Sequence, residues 1–216
     1  MVSIGISMIK EIAKLLMDAM AVGLPGRSAQ VRMAPSLRPP GESHFDGSSF
    51  KPSGVLILLF PGRDGVSTIF IERSKQGPHG GQVSLPGGKQ EPGDADLVHT
   101  AIRESVEEIG IDRNELNIIG KLTPLYVPHS NYCIQPIIAW TEREPAFRIN
   151  HDEVEELVVV SIDQLFRPEN RKTMVLNQNG TEITAPFYDA SGHCVWGATA
   201  MIISELEDIF TSCISE

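Results

Sequence analysis

The chain has 216 residues with a formal net charge of -10, and 41% of them are hydrophobic and 21% charged. That is enough for one large domain with a substantial buried core. The negative balance argues against a protein that grips nucleic acid through its phosphates, which needs clustered Lys and Arg; a small anionic substrate stays open, because a bound cation inverts the local field.

From the N-terminus, Ile4 to Met20 carries Ile9, Ile12, Leu16 and Ala19 at helical spacing and is interrupted by Lys10, Glu11, Lys14 and Asp18. It reads as an amphipathic helix packed on the domain, not a secretory or membrane segment. Residues 22–53 are rich in Pro, Gly and Ser and read as an arm, since Pro25, Pro35, Pro39, Pro40 and Pro52 forbid a continuous helix. Gly54–Phe60 and Ser67–Ile71 form a predicted hairpin around Pro61–Gly65. A glycine-rich loop spans residues 77–88, and a helix runs from about Asp96 to Ile109, stopping at Gly110. Strands are predicted at 116–127, 132–141, 156–161, 173–177 and 182–188, with a helical turn near Asp163. A last helix runs over 197–210, with Ile202, Leu206, Ile209 and Phe210 on one side. Without regular βαβ alternation, this mixture favours a mixed sheet between helices.

Cys133, Cys194 and Cys213 lack CxxC spacing and read as free thiols of a reducing compartment, with the cytoplasm as the expected location. His193 and Cys194 are chain neighbours, but neighbours on a strand point to opposite faces, which disfavours a thiol–imidazole pair.

The chemistry concentrates on the helix before Gly110. At about 100° per residue, Val98, Ile102, Val106 and Ile109 share one sector, which is expected to face the core. Glu104, Glu107 and Glu108 fall on nearly the opposite side, with Arg103 on the flank. An acidic solvated face is the ordinary reading of such a pattern. However, like charges at i,i+4, as in Glu104 and Glu108, destabilise a helix, and this face offers only Arg103 as counter-charge. Clustered carboxylates suit a hard divalent cation such as Mg²⁺ or Mn²⁺, with water completing its shell. Just upstream, Leu85-Pro86-Gly87-Gly88 lets backbone approach a ligand with no side chain in the way.

Together, Gly88-Lys-Gln-Glu91-Pro-Gly-Asp94 and Arg103-Glu104-Ser-Val-Glu107-Glu108-Ile-Gly110-Ile111 resemble the Nudix box: a Gly, five residues, an acid, seven residues, then R-E-U-x-E-E-x-G-U, where U is bulky and apolar. The departures are Ser105 at an apolar position, Asp94 where most members have Glu, and residues 95–102, eight in all, before Arg103. The extra residue resembles the coenzyme A pyrophosphatase branch, as do Arg73-Ser74, Gly81-Gln-Val-Ser-Leu85-Pro-Gly-Gly88 and Val195-Trp196-Gly197-Ala198-Thr199-Ala200. No Arg lies between Ser74 and Gly81, and Leu85 replaces Phe.

The resemblance implies an α/β fold, a Nudix-like α/β/α sandwich with a mixed sheet over residues 51–216, preceded by the helix and arm of residues 1–50. It implies metal-dependent hydrolysis of a nucleoside diphosphate linked to another moiety. Coenzyme A, cleaved to 3',5'-ADP and phosphopantetheine, is the first substrate expectation; ADP-ribose or a related derivative is the second. A non-catalytic nucleotide sensor is the competitor from another class. Glu104, Glu107 and Glu108 would ligate the metal, with Gly88 contributing backbone, and Arg103 would orient a carboxylate through its planar fork. Glu108 or Glu153, the latter from the run His151–Glu156, would act as general base. Arg73, Lys89, His79 and Gly87 are candidate substrate contacts. The N-terminal helix is a candidate for covering the site, for dimerisation into a homodimer, or for extending the core.

Overall fold

The computed structural model describes residues 2–36, 50–75, 80–178 and 180–214. His79 lies outside them.

Two strands that begin side by side and then part organise the fold. β1 (Lys51–Gly62) and β2 (Gly65–Arg73) pair antiparallel only around the turn, from Phe60 opposite Ser67 to Gly62 opposite Gly65. Beyond that they splay. The wedge between them is filled by β3 (Val83–Ser84), which pairs with β2, and β4 (Gly87–Lys89), which pairs with β1. Both short strands lie where the sequence reads as loop, because two or three residues between glycines and a proline carry no strand periodicity. On its other edge β1 runs parallel to β7 (Tyr132–Trp140), which in turn pairs with β5 (Asn117–Lys121) and β6 (Leu125–Val127). β2 pairs with β8 (Val154–Ser161) to complete an eight-stranded mixed sheet. Lys51 and Pro52 stand opposite Tyr132 and Cys133, so the end of the predicted arm is strand.

The sheet is covered on both faces, which is why Leu56, Ile57, Leu58, Leu59 and Phe60 are an unbroken apolar run, all fully buried. On one face, Leu56, Leu58, Phe60, Ile69 and Ile71 pack with Ala101 and Ile109 of α3 (Leu97–Ile109). On the other, Ile57, Leu59, Phe70 and Ile138 pack with Leu206 and Ile209 of α5 (Gly197–Ile214) and with Ile9 and Leu16 of α1 (Val2–Val22). A three-stranded sheet of β9 (Arg171–Gln178), β10 (Thr181–Ala190) and β11 (His193–Trp196) adjoins α5 on this side, after the short helix α4 (Ile162–Leu165). The sequence reading has no counterpart for β11, which is only four residues long.

The predicted one-sided packing of α5 is exceeded. Met201, Ile202, Ile203, Ser204, Glu205 and Leu206 are all buried, because α1 and the arm, including α2 (Arg27–Gln30), cover its outer side. Glu205 tolerates full burial because the arm satisfies it: its carboxylate accepts from Gly26 N–H, Gln30 Nε2, Thr123 N–H and Thr123 Oγ1 at 2.6–3.2 Å.

α3 corrects one expectation. Its core side is not Val98, Ile102, Val106 and Ile109: Ile109 is buried, but Val106 is exposed and Val98 and Ile102 are only half-buried. The buried set is Thr100, Ala101, Ser105, Glu108 and Ile109. The cause is Gly54, where a Cβ would stand 2.3 Å from Leu97 O and 3.3 Å from Ala101 Cβ. The helix settles directly onto β1 through its small residues. Ser105, an anomaly in the box pattern, is fully buried and returns its hydroxyl to Ala101 O at 2.7 Å. The same rotation buries Glu108.

Candidate active site

The wedge of β3 and β4 carries Gly87 and Gly88 to the middle of the sheet, beneath α3. Gly87 has φ 142°, and a Cβ there would lie 2.4 Å from Gly54 O. At Gly88 a Cβ would fall 2.4–2.6 Å from the Glu104 carboxylate. The first position therefore needs glycine on steric grounds, whereas at the second an added Cβ would push the Glu104 carboxylate aside. α3 is punctuated as its sequence suggests. Asp96 caps its N-terminus by accepting from His99 N–H at 2.9 Å, and Gly110 ends it at φ 66°.

Arg103 is the hub of the acidic side. Its Nε donates to Asp94 Oδ1 at 3.0 Å and its Nη2 to Asp94 Oδ2 at 3.1 Å. Nη2 also reaches Glu104 Oε1 and Lys89 O, and Nη1 reaches Glu107 Oε2, at 3.0–3.1 Å. Asp94 accepts further bonds from Glu91 N–H and Thr100 Oγ1, and the Arg103 bonds hold its carboxyl well below the usual range. The guanidinium is correspondingly held in its charged form, chiefly by Asp94. The shorter acid and the extra residue before Arg103 thus close into a two-point ion pair.

Glu108 is 1% exposed. Its Oε2 accepts from Gly87 N–H at 2.8 Å, and Arg73 Nη1 lies 3.6 Å from Oε1. Burial pushes its carboxyl up to about 7, with Glu104 and Glu153 adding repulsion and the Gly87 and Arg73 contacts opposing. Burial also raises Glu104, against the pull of Arg103. The expectation of three exposed glutamates is therefore corrected: Glu107 is exposed, Glu104 half-buried and Glu108 buried.

Among the described residues the carboxylate oxygens of Glu104, Glu107 and Glu108 do not gather as a group within 4.8 Å of one another, so one hard divalent cation held by all three requires their side chains to adjust. Among the described residues, Glu104 Oε2 and Glu107 Oε1 accept no hydrogen bond, and Glu108 Oε1 faces only the distant Arg73 guanidinium. Glu104 and Glu108 so each retain an oxygen beside the bare Gly87–Gly88 backbone, and a cation there would offset the burial that raises both carboxyls and the smaller repulsion between them.

Residues 50–178 match the NUDIX domain, more than half of the chain. The chain belongs to the Nudix family. It is 33% identical over 154 residues to the human protein named mitochondrial coenzyme A diphosphatase NUDT8, covering 69% of this chain and 65% of that protein. It is 34% identical over 160 residues to Nudix hydrolase 22, chloroplastic, of Arabidopsis thaliana, covering 71% and 53%. The chain thus spans less than two thirds of the length of these relatives. Among solved structures, the MutT/nudix family protein from Enterococcus faecalis shares the fold with a TM-score of 0.52 at 18% identity, over 78% of this chain and 64% of that one. The mixed sheet flanked by helices agrees with the fold expected from the Nudix box.

Within this Nudix fold the structure brings together Gly87, Gly88, Arg103, Glu104, Glu107, Glu108 and Arg73. Glu153, at the foot of β8, is tied to the strand after Arg73 by Ser74 N–H donating to its carbonyl at 2.9 Å, and its charge is felt at both Glu104 and Glu108. Lys89 is placed differently. It pairs with Ser53, one register step from Gly88, so its side chain leaves the sheet on the face away from Glu104; its carbonyl is what meets Arg103. Asn150 is a neighbour the sequence did not single out: its N–H donates to Glu108 O at 3.0 Å, joining the 150–153 turn to the end of α3. No helix among the described residues is long and apolar enough to cross a membrane.

Proposed function

We propose that this protein is a metal-dependent pyrophosphohydrolase that cleaves the phosphoanhydride of coenzyme A or its derivatives, releasing 3',5'-ADP and phosphopantetheine. The observation that carries the reading is the geometry of the box: the buried Glu108 carboxylate accepts from Gly87 N–H with Arg73 beside it, and Glu104 fills the space over Gly88. Burying a carboxylate is costly unless it is paired, and a phosphoanhydride hydrolase has a use for one beside bare backbone.

Glu104, Glu107 and Glu108 would hold Mg²⁺ or Mn²⁺, with the Gly88 backbone beside them. Such an ion would supply neutralisation of phosphate charge and a more acidic bound water. Glu108 Oε1 would take the proton of the attacking water when it does not ligate the ion, and Glu153 would take it when Glu108 does. Arg73, half-exposed beside it, presents its remaining donors to a phosphate oxygen. Arg103 keeps Glu104 and Glu107 oriented while Asp94 fixes Arg103. The protein mainly positions and neutralises, as in other phosphoryl chemistry.

Coenzyme A is favoured by the names of the human and mouse relatives, the latter 34% identical, and by the place of Arg73 beside the box. Three free cysteines favour a reducing compartment, which the cytoplasm shares with the organelles named for the relatives, mitochondrial and chloroplastic. The test is a panel of coenzyme A, ADP-ribose, NADH and dinucleoside polyphosphates with Mg²⁺ or Mn²⁺, products separated by chromatography. Release of 3',5'-ADP from coenzyme A at the highest kcat/KM is expected. Cleavage of ADP-ribose with coenzyme A left intact overturns the substrate, and binding without turnover of any member overturns the enzyme.

A further inference from the structure

A group of side chains able to ligate a metal lies on the opposite face of β2 from the Nudix box. Arg73 reaches Glu108 on the α3 side, whereas Glu72, two residues beyond Phe70, shares with it the face turned to α5. Glu72 stands directly opposite Glu156 in the β2–β8 register. His193 comes in from β11 of the small sheet. One ligand atom from each of Glu72, Glu156 and His193 lies within 4.8 Å of the other two.

Two observations distinguish this trio from an ordinary polar cluster. Like charges directly opposed on neighbouring strands are destabilising, and among the described residues neither Glu72 nor Glu156 has a Lys or Arg partner. The imidazole does not supply a hydrogen bond in their place, since His193 Nδ1 stands 3.6 Å from Glu72 Oε2, beyond hydrogen-bond reach. An ion between them would instead be at bonding distance after a small rotamer adjustment.

We propose that Glu72, Glu156 and His193 bind a divalent transition-metal ion, separate from the Nudix-box cation. One imidazole and two carboxylates form a mixed N/O set that suits Zn²⁺ or Mn²⁺, whereas Mg²⁺ favours an all-oxygen shell. The ligands sit on three strands from two sheets, and β11 leads directly into α5. The ion therefore clasps the small sheet to the large one, with water filling its exposed positions. The proposal is independent of the phosphoanhydride reading.

The test uses the full chain with Mg²⁺ in excess to fill the box. Zn²⁺ binding is followed by calorimetry, Co²⁺ by its visible absorption, and Tm is measured with and without Zn²⁺. The wild type and the box variant Glu107→Gln should each bind one tight ion and melt higher with Zn²⁺. His193→Ala and Glu156→Gln should weaken binding at least about tenfold and lose the Zn²⁺ effect on Tm. Glu156 is exposed, so its variant keeps the test decisive if His193→Ala folds poorly. His193→Ala or Glu156→Gln binding Zn²⁺ as the wild type does, or a wild type with no Zn²⁺ bound in excess Mg²⁺, overturns the proposal.

Discussion

Asp94 and Arg103 meet through two parallel hydrogen bonds, at 3.0 and 3.1 Å, across a stretch one residue longer than the common Nudix spacing. The pair turns Arg103 into a fixed fork from which Glu104 and Glu107 are both held.

Arg103→Lys tests that fork. Lysine carries the charge but cannot reach Asp94, Glu104, Glu107 and Lys89 O together. Hydrolysis should fall at least about tenfold, and stability by about 1–3 kcal/mol from the partners left unpaired. Steady-state kinetics and a denaturant melt measure the two. A wild-type rate in this variant would remove Arg103 from the machinery.

Glu108→Gln separates chemistry from folding. The amide oxygen still accepts from Gly87 N–H, and a buried charge is removed. Activity should drop by about a hundredfold or more, while the metal-free protein at pH 8 melts no lower than wild type. Retained activity with Mg²⁺ present would end the role of Glu108 as base and ligand.

Metal-free stability should fall with rising pH in the neutral range. Glu108 and Glu104 have folded-state pKa values raised above the 4.5 of an unfolded glutamate, Glu108 to about 7. The contribution of Glu108 is complete below about pH 4.5 and is lost as pH climbs through about 7, at most about 3 kcal/mol, and that of Glu104 is lost in the same direction. Asp94, Asp189 and Glu142 are shifted the opposite way and act at lower pH. Melting in EDTA from pH 5 to 8 checks the slope. Added Mg²⁺ should raise Tm more at pH 8 than at pH 5.5, and an equal gain at both would show that the cation does not meet these carboxylates.

Two glycine substitutions should divide cleanly. Gly54→Ala forces α3 off β1, where backbone at 2.3 Å cannot yield, and should cost roughly 1–3 kcal/mol or more of stability. In Gly88→Ala the three atoms nearest the new Cβ all belong to the Glu104 carboxylate, so the variant should displace that proposed ligand, lowering activity and metal affinity with a smaller change in Tm. Unfolding urea midpoints and Mn²⁺ titrations of both variants tell them apart. An unchanged Mn²⁺ affinity in Gly88→Ala would place Glu104 outside the cation site.

Chain-local chemistry was legible in residues alone. The limits of α3 follow from Asp96 and Gly110, the buried strands from Gly54–Phe60, and the carboxylate cluster from Arg103–Glu108, because caps, apolar runs and a helical repeat are written over a few neighbouring positions. What only the tertiary structure decided is which side of α3 meets the sheet. Periodicity pointed to Val106, but a single missing Cβ at Gly54, 47 residues before Ala101, lets the helix dock on small side chains and draws Glu108 inside. Likewise nothing adjacent in sequence joins Glu205 to Gly26 and Thr123, or His193 to Glu72. Burial, and with it the pKa of a carboxylate, depends on the strands and helices that arrive from elsewhere in the chain, and that information is not local.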